Sequence, residues 1–131
     1  LSSTSLLDGY ADRLATVLAE VGRDTVAEKT ELNGETLSAV ADGDVDALSL
    51  TDAAAILGLA EGYPDSEAIV LETRDHLLMG MTTAVLDVDA VAAELAVNLT
   101  GQEVQQAIEG RATLTLDELA AIQAVIDSRE T

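Results

Sequence analysis

The sequence has no cysteine, phenylalanine or tryptophan, and it has only two tyrosines, Tyr10 and Tyr63. The absence of cysteine excludes disulfides, thiolate metal sites and thiol catalysis. One proline and nine singly scattered glycines provide neither a phosphate-binding loop nor a dinucleotide fingerprint. The core must therefore be built from leucine, isoleucine, valine and alanine. Apolar residues make up 48% of the 131, which is enough for one compact domain.

Basic residues are also scarce. Five arginines and one lysine, Lys29, accompany 25 acidic residues, and the formal net charge is −19. In dilute buffer this charge opposes compaction, whereas at molar salt the Debye length falls to about 3 Å and the repulsion is largely screened. Excess acid, scarce lysine and small apolar side chains are together typical of the cytosolic proteins of salt-accumulating haloarchaea. The alternative is an acidic protein of a mesophile.

The sequence contains no apolar run long enough to span a membrane. Its first ten residues, LSSTSLLDGY, lack the basic residues that open an export signal. We therefore expect a cytoplasmic protein with no membrane contact. The sequence begins with Leu1 instead of methionine, which leaves open trimming, a non-AUG start and an N-terminal deletion.

Three blocks of the sequence occur twice in the same order. The matched pairs are GETLSAVADG (34–43) with GQEVQQAIEG (101–110), LSLTDAAAI (48–56) with LTLDELAAI (114–122), and DTVAEKTEL (24–32) with DAVAAELAV (89–97). Repeated blocks in one order indicate two copies of one structural unit. We place the first unit at 1–62 and the second at 63–131. The units should pack on each other, because units of about 60 residues are marginally stable alone.

Both copies carry the start and stop signals of helices at matched positions. These are Asn33 and Thr100 as N-caps, Ser49–Asp52 and Thr115–Glu118 as capping boxes, and Gly43 and Gly110 as C-terminal stops. Apolar spacing then predicts helices over 5–21, 24–31, 34–42, 50–61, 66–85, 88–96, 101–109 and 115–128. Ser66 is the expected cap after the single proline. Gly80 predicts a break or kink inside 66–85.

In each copy a short helix, a tight turn and a second helix precede a further helix that is opened by L-[ST]-L. In this order of elements, residues 10–61 and 75–129 resemble lambda-repressor-like helix-turn-helix domains. The resemblance implies a buried alanine in the first short helix, which Ala27 and Ala92 match. In both copies another residue occupies the usual position of the turn glycine.

Two longer stretches carry a second likeness: HLLMGMTTAVLDVDAVAAELAVNL (76–99) and EVQQAIEGRATLTLDELAAIQAVIDSR (103–129). In them the chain is similar to an uncharacterised family of small acidic haloarchaeal proteins. This resemblance supports the source and the fold that the composition and the repeat indicate, and it implies no activity.

The first copy is a poor candidate for DNA binding. Affinity for a duplex comes largely from lysine and arginine side chains that neutralise phosphates. The outward positions of the helix over 34–42 are Glu35, Thr36, Ser38, Ala39 and Asp42. The two carboxylates would repel phosphates.

The second copy presents a more neutral surface at the same place. Gln102, Gln105 and Gln106 lie on or near the exposed side of its helix, and Arg111 follows the glycine stop. Glutamine can pair with adenine, and arginine with guanine or phosphate. Neighbouring glutamates and the single cation favour a solvated polar face over a DNA-reading one. By analogy with helix-turn-helix scaffolds that lack basic faces, such a unit can serve as a protein docking module. These four residues are the candidate partner-binding site. The alternative function is that of a transcription regulator or a ribonucleoprotein-associated factor, which would act through the second copy.

Other polar clusters indicate no metal site, cofactor or reaction. Asp42, Asp44 and Asp46 alternate like the start of a calcium loop, but Ala47 and Ala53 replace the glycine and the bidentate acid that such a loop needs. The only histidine follows an aspartate. Neighbours on a helix point about 100° apart, so the two do not form a catalytic pair. We expect a protein that is not an enzyme.

The remaining expectations concern burial. His76 should be half-buried at the junction of the two copies, and Met79 and Met81 should fill gaps in the core. The C-terminal helix around Ile122 and Ile126 would offer a second partner surface if part of it were exposed. In sum, the sequence predicts an all-α protein with two tandem helix-turn-helix-like units in one compact domain, acting as a binding or adaptor protein.

Overall fold

The computed structural model describes residues 2–129, over which the chain forms eight α-helices. They are α1 (Ser3–Val21), α2 (Arg23–Lys29), α3 (Gly34–Ala41), α4 (Leu50–Leu57), α5 (Ser66–Ala84), α6 (Val88–Glu94), α7 (Gly101–Ile108) and α8 (Leu116–Arg129). The all-α prediction is confirmed. Whether Leu1 is the native first residue is left open by the sequence, and Leu1 lies outside the described residues.

The helices repeat in order and in length. α1 and α5 have 19 residues each, α2 and α6 have 7 each, and α3 and α7 have 8 each. Only the last helices of the copies differ, with 8 residues in α4 and 14 in α8. Residues 24–56 and 89–122 therefore share one helix order, as the sequence repeat predicts.

The local signals explain most helix ends. The side chain of Asn33 accepts a hydrogen bond from the N–H of Thr36 at 2.8 Å. Thr100 accepts one from the N–H of Glu103 at 3.1 Å, and the Glu103 carboxylate accepts the Thr100 N–H at 3.0 Å. Gly43 and Gly110, each with φ of 80°, end α3 and α7. These positions favour glycine because other residues are strained there.

Three predicted start signals differ in detail. The hydroxyl of Ser49 accepts the N–H of Asp52 at 3.0 Å, which is one half of a capping box. At α8 only the other half forms, because the Asp117 carboxylate instead of the Thr115 hydroxyl accepts the N–H of Glu118, at 2.9 Å. α5 is capped by Asp65 and not by Ser66: the Asp65 carboxylate accepts the Ala68 N–H at 2.9 Å.

The helix α5 continues through Gly80, so the predicted break there is wrong. A glycine inside a helix costs about 1 kcal/mol, and burial of the flanking side chains of Leu77 and Met81 outweighs that cost. The chain turns at Val85, which has φ of 56° and ψ of 49°. Beyond it α6 makes an angle of 92° with α5.

The buried residue of each short helix is a valine. Val26 in α2 and Val91 in α6 are fully buried, whereas Ala27 is exposed and Ala92 is half-buried. The expectation of a buried alanine at these two positions is therefore wrong by one residue. A valine fills more of the core than an alanine, which suits a chain without large aromatic core residues.

The two copies meet in a short antiparallel bridge between Ser49 and Thr115, which are equivalent residues of the repeat. The flanking leucines exchange two backbone hydrogen bonds, Leu50 N–H to Leu114 C=O at 2.7 Å and Leu116 N–H to Leu48 C=O at 2.8 Å. If each leucine is replaced by its equivalent in the other copy, the first hydrogen bond becomes the second. The bridge therefore lies on an approximate two-fold axis that relates the halves of the molecule.

Helix packing follows the same symmetry. The first helix of each copy packs on the last helix of the other, α1 on α8 and α5 on α4. One apolar cluster contains buried residues from all eight helices, and no polar or charged side chain within 2–129 is buried. The predicted boundary between 62 and 63 falls in the loop before α5, and the halves on either side share this one core.

Candidate functional site

The four predicted partner-binding residues lie on and just after α7. Gln102, Gln105 and Arg111 are exposed, and Gln106 is half-buried. The capping box at Thr100 fixes the start of the helix, and buried Val104 fixes which side faces the core. The structure therefore brings the predicted residues together on one surface.

One carboxylate already engages two of these residues. The amide of Gln105 donates to Glu109 Oε2 at 2.9 Å, and Arg111 forms an ion pair with the other carboxylate oxygen. These bonds lower the pKa of Glu109, and the bond from Gln105 has the larger effect. Arg111, the predicted cation of this surface, is thus compensated locally by Glu109, which weakens its attraction for phosphates.

A second surface was not predicted. Four large apolar side chains are exposed in the second copy: Leu71 (52%), Leu78 (50%), Met79 (68%) and Val85 (90%). Leu71 and Leu78 are two turns apart on one side of α5, Met79 is the neighbour of Leu78, and Val85 directly follows the end of the helix. We call these four residues the α5 apolar face. The sequence predicted that Met79 and Met81 both fill the core. That prediction is wrong for Met79, which is exposed, and Met81 is buried as predicted.

The first copy carries different residues at the same positions. α1 and α5 both have 19 residues and begin directly after a side-chain N-cap, so they align position for position. The equivalents of the α5 apolar face are Asp8, Ala15, Thr16 and Gly22. The fold therefore does not require large apolar side chains at these positions, and the α5 apolar face has no structural role that α1 shares.

Val85 is also strained. Its φ of 56° lies in the left-handed region, where a β-branched side chain crowds the backbone. This conformation costs about 1–2 kcal/mol for an ordinary residue. The first copy has Gly22 at the equivalent position. The second copy thus keeps an exposed valine where a glycine would be less strained.

Replacing Val85 with glycine should stabilise the protein. Relief of about 1–2 kcal/mol of strain exceeds the extra backbone entropy of glycine, about 0.5–1 kcal/mol, so the free energy of unfolding should rise by about 0.5–1 kcal/mol. Urea unfolding in molar KCl measures the change. Leu78→Ala, on the same surface but inside the helix, is the control and should change stability little. A loss of stability in Val85→Gly would show that the valine packs against the fold.

A third feature is a groove of about 570 Å³ between α1, α4, α5 and α8. Both tyrosines of the chain line it, together with aliphatic side chains from both copies: Leu6, Leu14, Leu50, Leu57, Ile69, Leu116 and Leu119. Arg13 and His76, which occupy equivalent positions on α1 and α5, also line it. His76 is exposed at this groove and not half-buried as expected.

Charged groups accompany the apolar walls of the groove. The carboxylates of Glu72 and Asp127 line it, and Asp127 accepts a hydrogen bond from the Gln123 amide at 2.8 Å. Burial raises the pKa of Tyr10, the charge of Asp127 raises it further, and the charge of Arg13 lowers it. The composition drew attention to the tyrosines, but no sequence signal placed them together.

The stretch of sequence that forms this fold and these surfaces matches one protein-family model. A model of the family of unknown function DUF5791 matches residues 6–129. The chain belongs to this family. No curated protein and no solved structure matches the chain.

The DUF5791 match covers both copies, so the repeat and its two-fold bridge lie inside a single family unit. Within the described part of this member, no group of three or more acidic or histidine side chains is placed to hold a metal ion. In the same residues no single helix is long and apolar enough to cross a membrane. Only α5 and α6 taken together meet the length and composition criteria, with a bend of 92° between them.

Proposed function

We propose that this DUF5791 member is a non-enzymatic protein-binding or adaptor protein of a haloarchaeal cytosol, built on a helix-turn-helix-like scaffold. Its docking surface is the α5 apolar face. The observation that carries the proposal is the difference between the copies, because four positions of one fold are large and apolar in α5 and small or polar in α1. The acidic, lysine-poor composition supports the halophilic and archaeal assignment.

The charge of the molecule indicates the kind of partner. Protein interfaces combine an apolar, charge-depleted centre with a polar rim. Exposed carboxylates accompany the α5 apolar face on a molecule of net charge −19: Asp75 lies among its side chains, one turn from Leu71 and Met79, and Glu67 and Asp87 lie near its two ends. The complementary partner is a protein with an apolar ridge that also carries lysine and arginine, one of them opposite Asp75. A second copy of this chain would bring like charges together.

Nucleic-acid binding, the alternative, has weaker support. The cation of the predicted α7 surface, Arg111, is paired with Glu109. Arg23 donates to the Ser38 hydroxyl at 3.3 Å, and Arg74 donates to the Ile108 carbonyl at 3.1 Å. These arginines are engaged in intramolecular bonds, in a molecule whose field repels phosphates.

Exchanging the α5 apolar face for its α1 equivalents tests the proposal. The variant Leu71→Asp, Leu78→Ala, Met79→Thr, Val85→Gly uses residues that the same helix position already accommodates in α1. Loss of four exposed anchors should weaken partner binding about a hundredfold, since truncating a central anchor costs more than about 1 kcal/mol. Affinity capture from a lysate in molar KCl, with nuclease-treated and untreated samples compared, identifies the partner, and titration of the purified partner measures the change.

A matched control is Gln102→Glu with Gln105→Glu and Gln106→Glu, which alters the surface of α7 and should leave binding unchanged. If instead this control abolishes binding and the α5 exchange does not, the docking surface is on α7. If the captured material is removed by nuclease and by Arg111→Ala, the regulator alternative is correct.

A further inference from the structure

We propose that the groove between α1, α4, α5 and α8 binds a small organic cation with an aliphatic tail. This site is separate from the proposed docking surface, because no residue of the α5 apolar face lines the groove. The proposal rests on the size and walls of the groove, on its charged groups and on the placement of the tyrosines.

The groove has the dimensions and walls of a ligand site. Its volume of about 570 Å³ lies within the range of roughly 300–1,000 Å³ that is usual for small-molecule pockets. Leu50 and Leu116, the equivalent residues next to the two-fold bridge, both line it, and so do Leu6 and Ile69, another equivalent pair. Aliphatic walls from both copies suit an aliphatic tail.

The charged groups at the groove favour a cation. Glu72 and Asp127 contribute two carboxylates, Arg13 contributes one guanidinium, and His76 contributes the imidazole. Negative charge exceeds the charge of Arg13, inside a molecule of net charge −19. A ligand carboxylate would be repelled by Glu72 and Asp127, whereas an ammonium group would be attracted to them.

The aromatic residues of the chain are concentrated at this one place. Tyr10 and Tyr63 are far apart in the sequence, yet both line the groove. A tyrosine ring attracts a cation over its face, by about 0.5–1 kcal/mol at exposed sites and more when water is excluded. Burial raises the pKa of Tyr10 and the charge of Asp127 raises it further, so the Asp127 carboxylate lies close enough to interact with this phenol in the groove.

The tyrosines also make the test direct. The chain has no tryptophan, so its intrinsic fluorescence comes from two residues that both line the groove. We would titrate octyltrimethylammonium and, separately, octanoate and octanol in molar KCl, where the Debye length of about 3 Å leaves only local charges effective. The cation should bind at least tenfold more tightly than octanoate, with octanol between them. Equal affinities, a preference for octanoate or no binding would each overturn the proposal.

Charge variants locate the effect. Glu72→Gln with Asp127→Asn should lower affinity for octyltrimethylammonium about tenfold and remove the preference over octanol, while Arg13→Gln should raise the affinity. Glu67→Gln, at an exposed position of α5 away from the groove, is the matched control and should change nothing. Far-UV circular dichroism checks that each variant is folded. The exchange variant of the α5 apolar face should bind the cation normally, which separates this inference from the docking proposal.

Discussion

Transfer from dilute buffer to molar KCl should raise the free energy of unfolding by several kcal/mol, an order-of-magnitude expectation from screening of the net charge of −19. Two ion pairs, Arg111–Glu109 and Arg129–Glu94, form within 2–129. Most of the 25 acidic residues therefore have no cation to offset their repulsion. Urea unfolding at a series of KCl concentrations measures the effect.

A charge variant separates screening from a general effect of salt on apolar burial. Asp42, Asp44 and Asp46 are three exposed carboxylates in one loop. Replacing them with asparagine should stabilise the protein in dilute buffer and reduce its response to KCl. The role assigned to charge repulsion would be contradicted if the free energy of unfolding did not change with KCl. It would also be contradicted if the variant gained as much stability from KCl as the original chain does.

Neither half of the chain should fold alone. As separate peptides in molar KCl, residues 1–62 and 63–131 should each lack a cooperative unfolding transition, a loss of essentially the whole folding free energy. In the intact chain α1 packs on α8 and α4 packs on α5, so each of these helices is covered by a helix of the other half. In a separate half these helices would expose the apolar faces that the intact chain buries. Circular dichroism and urea unfolding of each peptide test this.

Mixing the two peptides is the control, since the same exchanged contacts should restore helicity and a cooperative transition that depends on concentration. A half that unfolds cooperatively by itself would mean that each copy has a sufficient core of its own. The bridge between Ser49 and Thr115 would then be a contact between independent domains.

The repeat and most helix ends could be predicted because their causes are local. A cap such as Asn33 or Thr100 and a stop such as Gly43 or Gly110 act within one turn of the chain, and the sequence displays them directly. Burial depends on what each helix meets. Met79 and Met81 are two residues apart, on different sides of α5, and the packing of α4, α7 and α8 on α5 decides which one is covered.

The groove could not be predicted for the same reason. Tyr10 and Asp127 come from α1 and α8, at opposite ends of the chain, and they meet because the first helix of one copy packs on the last helix of the other. A sequence pattern identifies the repeat but does not show that the first helix of each copy packs on the last helix of the other copy. The predicted α7 surface was simpler, since Gln102, Gln105 and Gln106 lie within two turns of one helix.

The two-fold bridge also bears on how many partners one molecule can hold. A symmetric homodimer presents every surface patch twice and can therefore link two copies of its partner. Here the two halves belong to one chain and can differ, as Gly22 and Val85 do at equivalent positions. Within residues 2–129 the four exposed large apolar side chains all lie on the second half. The docking proposed for the α5 apolar face therefore gives one molecule a single attachment point, with which it would cap a partner one to one instead of crosslinking it.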